Sequence, residues 1–408
     1  MRVLFLMSPI VTLSDTVRCL AIAEALNQNI DRCAAVCGDS RRKWFESFGI
    51  PTYRSPDPTY RGVREGKDLT IPTIIDFIRV FGLAEEKFLR ETIRCEINAI
   101  NDFKPDVIFS NFSLTAPISA KICKVPIVSV ARYPYLEDAS NNTLEDDIIA
   151  KECALFIKYR ESLSKVSTEG INRILKENGL YSIEKITDLY FMQSDLKIAP
   201  TIPEFEPQLK NISNLYYVGY LLSESFESSA SPDWLSHMDS SKPIVFVYFG
   251  RGSVMPQEVI DILPKAINRT DIQAIVSFGY HPAVKSLPPS TSNVRYEYFV
   301  PGMKVLEKSK AILCHGGQNL LINGLLHGVP SIIVPCSDFE RTFNANIFDT
   351  LKIGIKLKKS EFTPEIIRET IYQILNPEFR KRAMEYGKRV RTYGGPKRAV
   401  ELMRKLVT

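Results

Sequence analysis

The sequence predicts an α/β protein of two domains, each built on a parallel sheet, and three observations lead there. The chain of 408 residues exceeds what one hydrophobic core usually organises. Short continuous apolar runs alternate with segments of helical spacing, the pattern of strands covered by helices on both faces. Between two such runs lies a polar, serine-rich stretch, Ser223 to Lys242, with the composition of a linker. The expected division is therefore 1–222, a linker at 223–241, and a second domain from 242 to 385.

Taken in order, Met1 to Ser8 is a buried-strand pattern, and after a loop Val17 to Leu26 carries apolar residues at helical spacing. Pro105 to Asn111 and Val125 to Val130 read as later parallel strands, and Leu215 to Gly219 as the strand that closes the first domain. Lys242 to Gly250 opens the second. The loop after it, Arg251-Gly252-Ser253, lies at the C-terminal edge of that sheet, where ligands of open α/β sheets bind. Further on, the apolar run Ala311 to Cys314 is followed by His315-Gly316-Gly317 and then by helix-permissive sequence from Gln318 to Gly328. A strand, a glycine turn and a helix start leave the first helical N–H groups without partners. Together with the helix dipole they form an anion site that suits a diphosphate, which Gly316 and Gly317 let the backbone approach. A second strand, Ser331 to Pro335, comes at once, and after it the polar segment Ser337 to Asn346.

Composition excludes several classes. The eight cysteines (19, 33, 37, 95, 123, 153, 314 and 336) show no metal-type pairing and read as buried thiols of a reducing compartment. No segment approaches the roughly 18 apolar residues of a membrane span, and the N-terminal run begins a strand rather than a signal peptide, so a cytoplasmic protein is expected. A net charge of +5 does not call for nucleic acid. The excess is local: from Glu378 to Thr408 ten basic residues face three acidic ones. That is a solvated helix face or a peripheral contact with anionic lipid or an acidic acceptor.

The order His-Gly-Gly, a helix ending in Gly328-Val329-Pro330, a strand ending in Pro335, then an acidic and polar pair before Asn344-Ala345 resembles the donor-binding half of the GT-B glycosyltransferases. The match is to the family of UDP-glycosyltransferases and macrolide and glycopeptide glycosyltransferases, and more distantly the MurG-type enzymes. It extends from end to end, with its strong motifs in the C-terminal half. The resemblance implies two Rossmann-like domains facing across a cleft. The nucleotide-diphosphate sugar would sit on the second domain and a small-molecule or natural-product acceptor on the first, with residues 386–408 crossing back to the first domain and Tyr393 to Pro396 marking the bend. It implies an inverting, metal-independent transfer with no cofactor beyond the dTDP- or UDP-sugar itself, and it is compatible with a homodimer. Two alternatives stand beside it: a non-hydrolysing nucleotide-sugar epimerase of the same fold, and an inactive homologue acting as an auxiliary protein.

Carried onto this sequence, the resemblance assigns donor contacts to Gly250, Arg251, Ser253, Val300, His315, Gly316, Gly317, Gln318, Asn319, Asn323, Glu340 and Arg341. His315 would meet the diphosphate, and the backbone around Val300 the nucleotide base. Arg251 stands where the family has a small hydroxyl residue, as a cation for the phosphates or as a surface arginine. Three further departures are informative. The family's usual catalytic His before the first helix is Asp15 here, which reads as a general base or as an N-cap, and its usual acidic partner is Asn111. Asn323 replaces a Glu that accepts from both ribose hydroxyls; one carbonyl acceptor and one donor suit a single hydroxyl and favour a thymidine nucleotide. Glu340 and Arg341 stand where an acidic residue and Gln hold the transferred sugar, and an arginine there suits an acidic substituent or pairs with Glu340 or Asp338. Acceptor contacts are expected from the loops Asp57 to Leu69 and Ala131 to Asp147, which carry Tyr60, Arg61, Arg64, Arg132, Tyr133 and Tyr135.

Overall fold

The computed structural model describes residues 1–7, 13–61, 63–64, 67–68, 71–140, 165–223, 225, 230–250, 254–279, 281–335 and 338–408. Two parallel sheets organise them. The first has seven strands: β1 (Arg2–Met7), β2 (Arg32–Cys37), β3 (Thr52–Arg54), β6 (Val107–Asn111), β7 (Ile127–Val130), β8 (Leu196–Ala199) and β9 (Leu215–Tyr217), in spatial order β3-β2-β1-β6-β7-β8-β9. A small antiparallel pair, β4 (Val63–Arg64) and β5 (Lys67–Asp68), stands apart. The second sheet has six: β10 (Ile244–Tyr248), β11 (Gln273–Ser277), β12 (Val294–Glu297), β13 (Ser309–Cys314), β14 (Ser331–Ile333) and β15 (Gly354–Lys356), ordered β12-β11-β10-β13-β14-β15.

In both sheets the first strand lies inside, and the chain winds outward from it in one direction and then the other. The reversal falls between β1 and β6 in the first sheet, where Met7 pairs with Asn111, and between β10 and β13 in the second, where Tyr248 pairs with Cys314. At such switch points the loops leaving adjacent strands diverge and open a crevice. The segments that follow are the Asp15 helix in one sheet and the Gly250 and His315 turns in the other. Helices on both faces explain the apolar strands: Val3, Leu4, Phe5 and Leu6 are all fully buried, on alternate faces.

Helix Pro377–Thr392 packs Ala383 and Val390 against Leu321, Ile322 and Leu325 in the second domain's core. The chain then turns at Gly394, whose φ of 86° is left-handed. Helix Gly395–Val407 buries Ala399, Val400, Leu402 and Met403 with Val3, Phe5 and Leu20 beneath the first sheet. At roughly 1.5 to 3 kcal/mol for each large apolar side chain, that burial is a substantial tie between the two domains. Position 386 lies inside helix Pro377–Thr392, about two turns before the bend at Gly394.

Glu96 is buried where helix Glu86–Phe103 meets helix Ala116–Cys123 beside the first sheet. Thr115 donates to its carboxylate at 2.6 Å and Ser119 donates to the other oxygen. Burial pushes the carboxyl up to about 7, against the opposing effect of the hydroxyl bonds. The folded state therefore holds this proton more tightly than the unfolded chain, whose carboxyl titrates near 4.5. The stability linked to it is fully present at low pH and is lost as pH rises through about 7. Glu96→Gln, which stays neutral, is expected to flatten this dependence. Melting temperatures of the two proteins, measured from about pH 5 to about pH 8, should converge or cross as the wild type loses its proton, and parallel curves would contradict the assignment.

Candidate functional site

The second domain supplies a preformed turn. Gly316, directly after β13, has a φ of 94°, and a Cβ there would lie 2.9 Å from Ile333 Cγ2 and 3.1 Å from the Arg341 carbonyl oxygen, so only glycine is accommodated. Gly317 is the N-cap, and helix Gln318–Leu326 starts at once with its first N–H groups facing the crevice end. The turn after β10 adjoins it: Gly250 has a φ of 60°, and a Cβ on it would meet His315 Cε1 at 3.4 Å. His315 packs beside the Tyr248 ring, centroids 5.7 Å apart. Burial first and the Arg341 cation second hold its pKa well below the ordinary histidine value, and the Tyr248 backbone opposes them only weakly. The ring is thus neutral at pH 7. Its buried Nδ1 has no well-formed hydrogen bond, nor has the buried Oδ1 of Asn319.

The other donor-side assignments divide. Asn323 is half-buried on the same helix, its main-chain carbonyl oxygen accepting from the His327 N–H at 3.2 Å and lying 2.8 Å from His327 Nδ1. Val300 is buried in the domain core, so its side chain is packing and only its backbone is available to a base. Glu340 and Arg341 open helix Phe339–Thr350, which Asp338 caps by accepting from the Arg341 N–H at 3.1 Å. Arg341 Nε lies 4.0 Å from Asp338, the pairing that competes with a role in reading an acidic sugar. Arg251 and Ser253 lie outside the described residues.

On the first domain Asp15 is 3% exposed and sits in the first turn of helix Leu13–Ala25. The helix begins two residues before it, so Asp15 is not the N-cap. Its carboxylate instead pairs with Arg18, Nη1 to Oδ1 3.1 Å. Asn111 Nδ2 donates to the Asp15 carbonyl oxygen at 3.0 Å, holding the backbone rather than the carboxylate. Arg18 then reaches across the cleft: its Nη2 donates to Gln318 Oε1 at 2.7 Å.

A second buried arginine converges on the same atom. Arg132 follows β7, and its guanidinium donates to Gln318 Oε1, to Glu340 Oε1 at 3.1 Å, to Asn344 Oδ1 at 3.2 Å and to Glu206. Asn344 Nδ2 in turn donates to the Gly316 carbonyl oxygen at 3.0 Å, and Gln318 Nε2 to that of Pro200 at 3.2 Å. The sequence reading placed Arg132 and Tyr135 on an acceptor loop. Both are buried, Tyr135 against Phe112 with ring centroids 4.2 Å apart, and Arg132 is a junction residue. Tyr60, stacked on Phe81 at 4.7 Å, remains exposed in the other acceptor loop; residues 62, 65–66, 69 and 141–147 of the two loops lie outside the described residues. Glu206 and Asn344 were missed as site residues. Asn344 lay within the quoted motif, whereas nothing local marks Glu206.

Replacing Gln318 by Leu removes the shared acceptor and leaves an unmet donor on each of two buried guanidiniums. The expected loss is about 2 kcal/mol or more, since an unsatisfied buried group costs roughly 1 to 3 kcal/mol. A melting temperature within error of wild type would contradict the bridge.

Among the described residues no three His, Cys, Asp or Glu side chains gather as metal ligands, and no helix is long and apolar enough to cross a membrane. Residues 262–406 match the family described as erythromycin biosynthesis protein CIII-like, C-terminal domain. A PGL/p-HBAD biosynthesis glycosyltransferase of Mycobacterium tuberculosis is 21% identical over 303 residues, 72% of this chain and 69% of the relative. A PGL/p-HBAD biosynthesis rhamnosyltransferase of Mycobacterium bovis is 20% identical over 396 residues, 94% and 82% of the two chains. Among solved structures, the spinosyn rhamnosyltransferase SpnG complexed with thymidine diphosphate superposes with a TM-score of 0.72 at 15% identity, covering 99% of this chain and 100% of the other. The chain has the GT-B fold, and its residues 262–406 match the family of erythromycin biosynthesis protein CIII-like C-terminal domains.

Proposed function

We propose that this protein transfers a sugar with inversion, and without a metal, from a dTDP- or UDP-sugar to a small-molecule or natural-product acceptor. The observation that carries the reading is the bridge between the two switch points. One guanidinium, Arg18, links the Asp15 carboxylate of the first domain to the first residue of the helix whose N-terminus suits a diphosphate. A base and a leaving-group site thus stand on opposite walls of one cleft, the arrangement that an in-line displacement requires. The acceptor hydroxyl oxygen bonds to the anomeric carbon, the bond from that carbon to the diphosphate oxygen breaks, and Asp15 takes the hydroxyl proton. The helix N-terminus, the Gly316–Gly317 turn and a neutral His315 able to donate one hydrogen bond receive the charge that develops on the diphosphate. Glu340, at the mouth of the cleft, accepts from hydroxyls of the transferred sugar. A small neutral group at Asn323 favours thymidine over uridine, in keeping with the nucleotide bound to the spinosyn enzyme.

A second reading, an inactive homologue serving as an auxiliary protein, is favoured by the same bridge, because Asp15 is paired with Arg18 and Gln318 is held by two arginines. Formation of a donor-dependent glycoside with any acceptor separates the two.

Two outcomes follow from the first reading. Thymidine diphosphate is expected to raise the melting temperature more than UDP at equal concentration, since a ligand that binds only the folded state stabilises it in proportion to occupancy; a larger shift with UDP would reverse the assignment at Asn323. Asp15→Asn keeps an oxygen for Arg18 but not the charge. It is therefore expected to lose some stability as well as about 100-fold or more in turnover at saturating donor and acceptor, measured well below its melting temperature. Wild-type turnover in that variant would move the base elsewhere.

A further inference from the structure

Arg132 belongs to the first domain, yet three of its four side-chain partners belong to the second: Gln318, Glu340 and Asn344. Those three come from distinct parts of the donor site. Gln318 opens the helix at the diphosphate end, Glu340 faces the sugar position, and Asn344 holds the carbonyl oxygen of Gly316 in the strained turn. On the other side Nε pairs with Glu206, which is 1% exposed and whose second oxygen accepts from the Tyr133 N–H at 2.6 Å. The guanidinium is therefore fixed within its own domain by a buried carboxylate before it meets the second domain. It lies over the Tyr135 ring at 5.9 Å, and Tyr133 packs on Phe343 at 5.7 Å, so the same short segment carries apolar contact across the junction.

A planar fork with donors at fixed angles can serve several acceptors at once, which a lysine ammonium on a flexible stem cannot do in the same geometry. We propose that Arg132 is a positioning residue that makes assembly of the donor site conditional on docking of the first domain. With the domains together its fork sets the rotamers of Gln318, Glu340 and Asn344, and through Asn344 the Gly316 carbonyl. With the domains apart these side chains lose their common reference while the helix N-terminus, which needs only its own backbone, remains. The consequence is a division of labour. Nucleotide diphosphate recognition is intrinsic to the second domain, whereas alignment of the sugar for transfer depends on a residue of the acceptor domain that touches neither substrate. This rests on the donor assignment made above for Glu340 and the helix Gln318–Leu326.

The test compares wild type, Arg132→Lys and Glu340→Gln. Lysine keeps a cation for Glu206, so the buried carboxylate stays paired and the fold is retained, as a melting curve would verify. Hydrogen exchange is read first and needs no substrate. In Arg132→Lys the amides in the first two turns of helix Phe339–Thr350, which carries Glu340 and Asn344, should exchange about tenfold faster or more, with helix Gln318–Leu326, β10 and β11 unchanged. Unchanged exchange in those turns would overturn the proposal whatever the activity. In turnover, Arg132→Lys should lower kcat by about tenfold or more at saturating donor, with the affinity for free nucleotide diphosphate unchanged. Combining it with Glu340→Gln should cost less than the product of the two single effects. A variant with wild-type kcat, a loss confined to nucleotide affinity, or multiplicative single effects would each sink the proposal. Failure of the wild type to bind any nucleotide diphosphate would instead remove the donor reading, leaving the exchange result to decide the role of Arg132.

Discussion

One amide oxygen, that of Gln318, accepts from two fully buried guanidiniums, and the placement of everything else in the cleft follows from that meeting. Removing two arginines from water is costly, and the cost is met only if nearly every donor finds an acceptor in good geometry. The acceptors come from both domains: Asp15 and Glu206 from the first, Gln318, Glu340 and Asn344 from the second. Such a set is satisfied in one relative arrangement of the sheets. A purely apolar interface between the same faces would tolerate sliding, because dispersion and burial have little directionality. The aromatic pairs Phe77 with Phe339 and Tyr133 with Phe343 add area to the junction, and the arginines give it register.

The charges at this centre leave a small negative excess. Two guanidiniums face the carboxylates of Asp15, Glu206 and Glu340, so the described residues offer no surplus positive charge there. Positive potential belongs further along, at the helix N-terminus and Arg341. The cleft is therefore graded, from a hydrogen-bonding middle without positive excess to an anion-attracting end, as expected for a sugar whose only charged part is its diphosphate.

Much of this was legible in the sequence, and the reasons are local ones. The turn at His315 to Gln318 could be read because an apolar strand, two glycines and a helix start occupy consecutive positions, and backbone chemistry alone then defines an anion site. Several strands were not read. β2 is Arg-Cys-Ala-Ala-Val-Cys, too small and mixed to stand out, and β8 contains Lys197, which is buried with its ammonium donating to the carbonyl oxygens of Ser194 and Ser213 at 3.0 and 3.2 Å. Sheet context made strands of segments whose own pattern is weak. Within the site, Asp15 was read as cap or base because the start of its helix depends on residues with no strong signal. Arg18 and Arg132 were seen only as neighbours of motifs, since a contact spanning 300 positions, such as Arg18 to Gln318, leaves no trace in local periodicity.

The helix Gly395–Val407 lies in the first domain's core although the whole second domain separates it in sequence from the strands it covers. During synthesis on the ribosome the first sheet emerges early with one flank bare: the surfaces of Val3, Phe5 and Leu20 stay uncovered until that helix is made. The domain that leaves the exit tunnel first is therefore the one completed last, whereas the second domain, whose core borrows Ile202, Phe205 and Tyr220 from the preceding span of chain, has those borrowed residues already made when its own strands emerge.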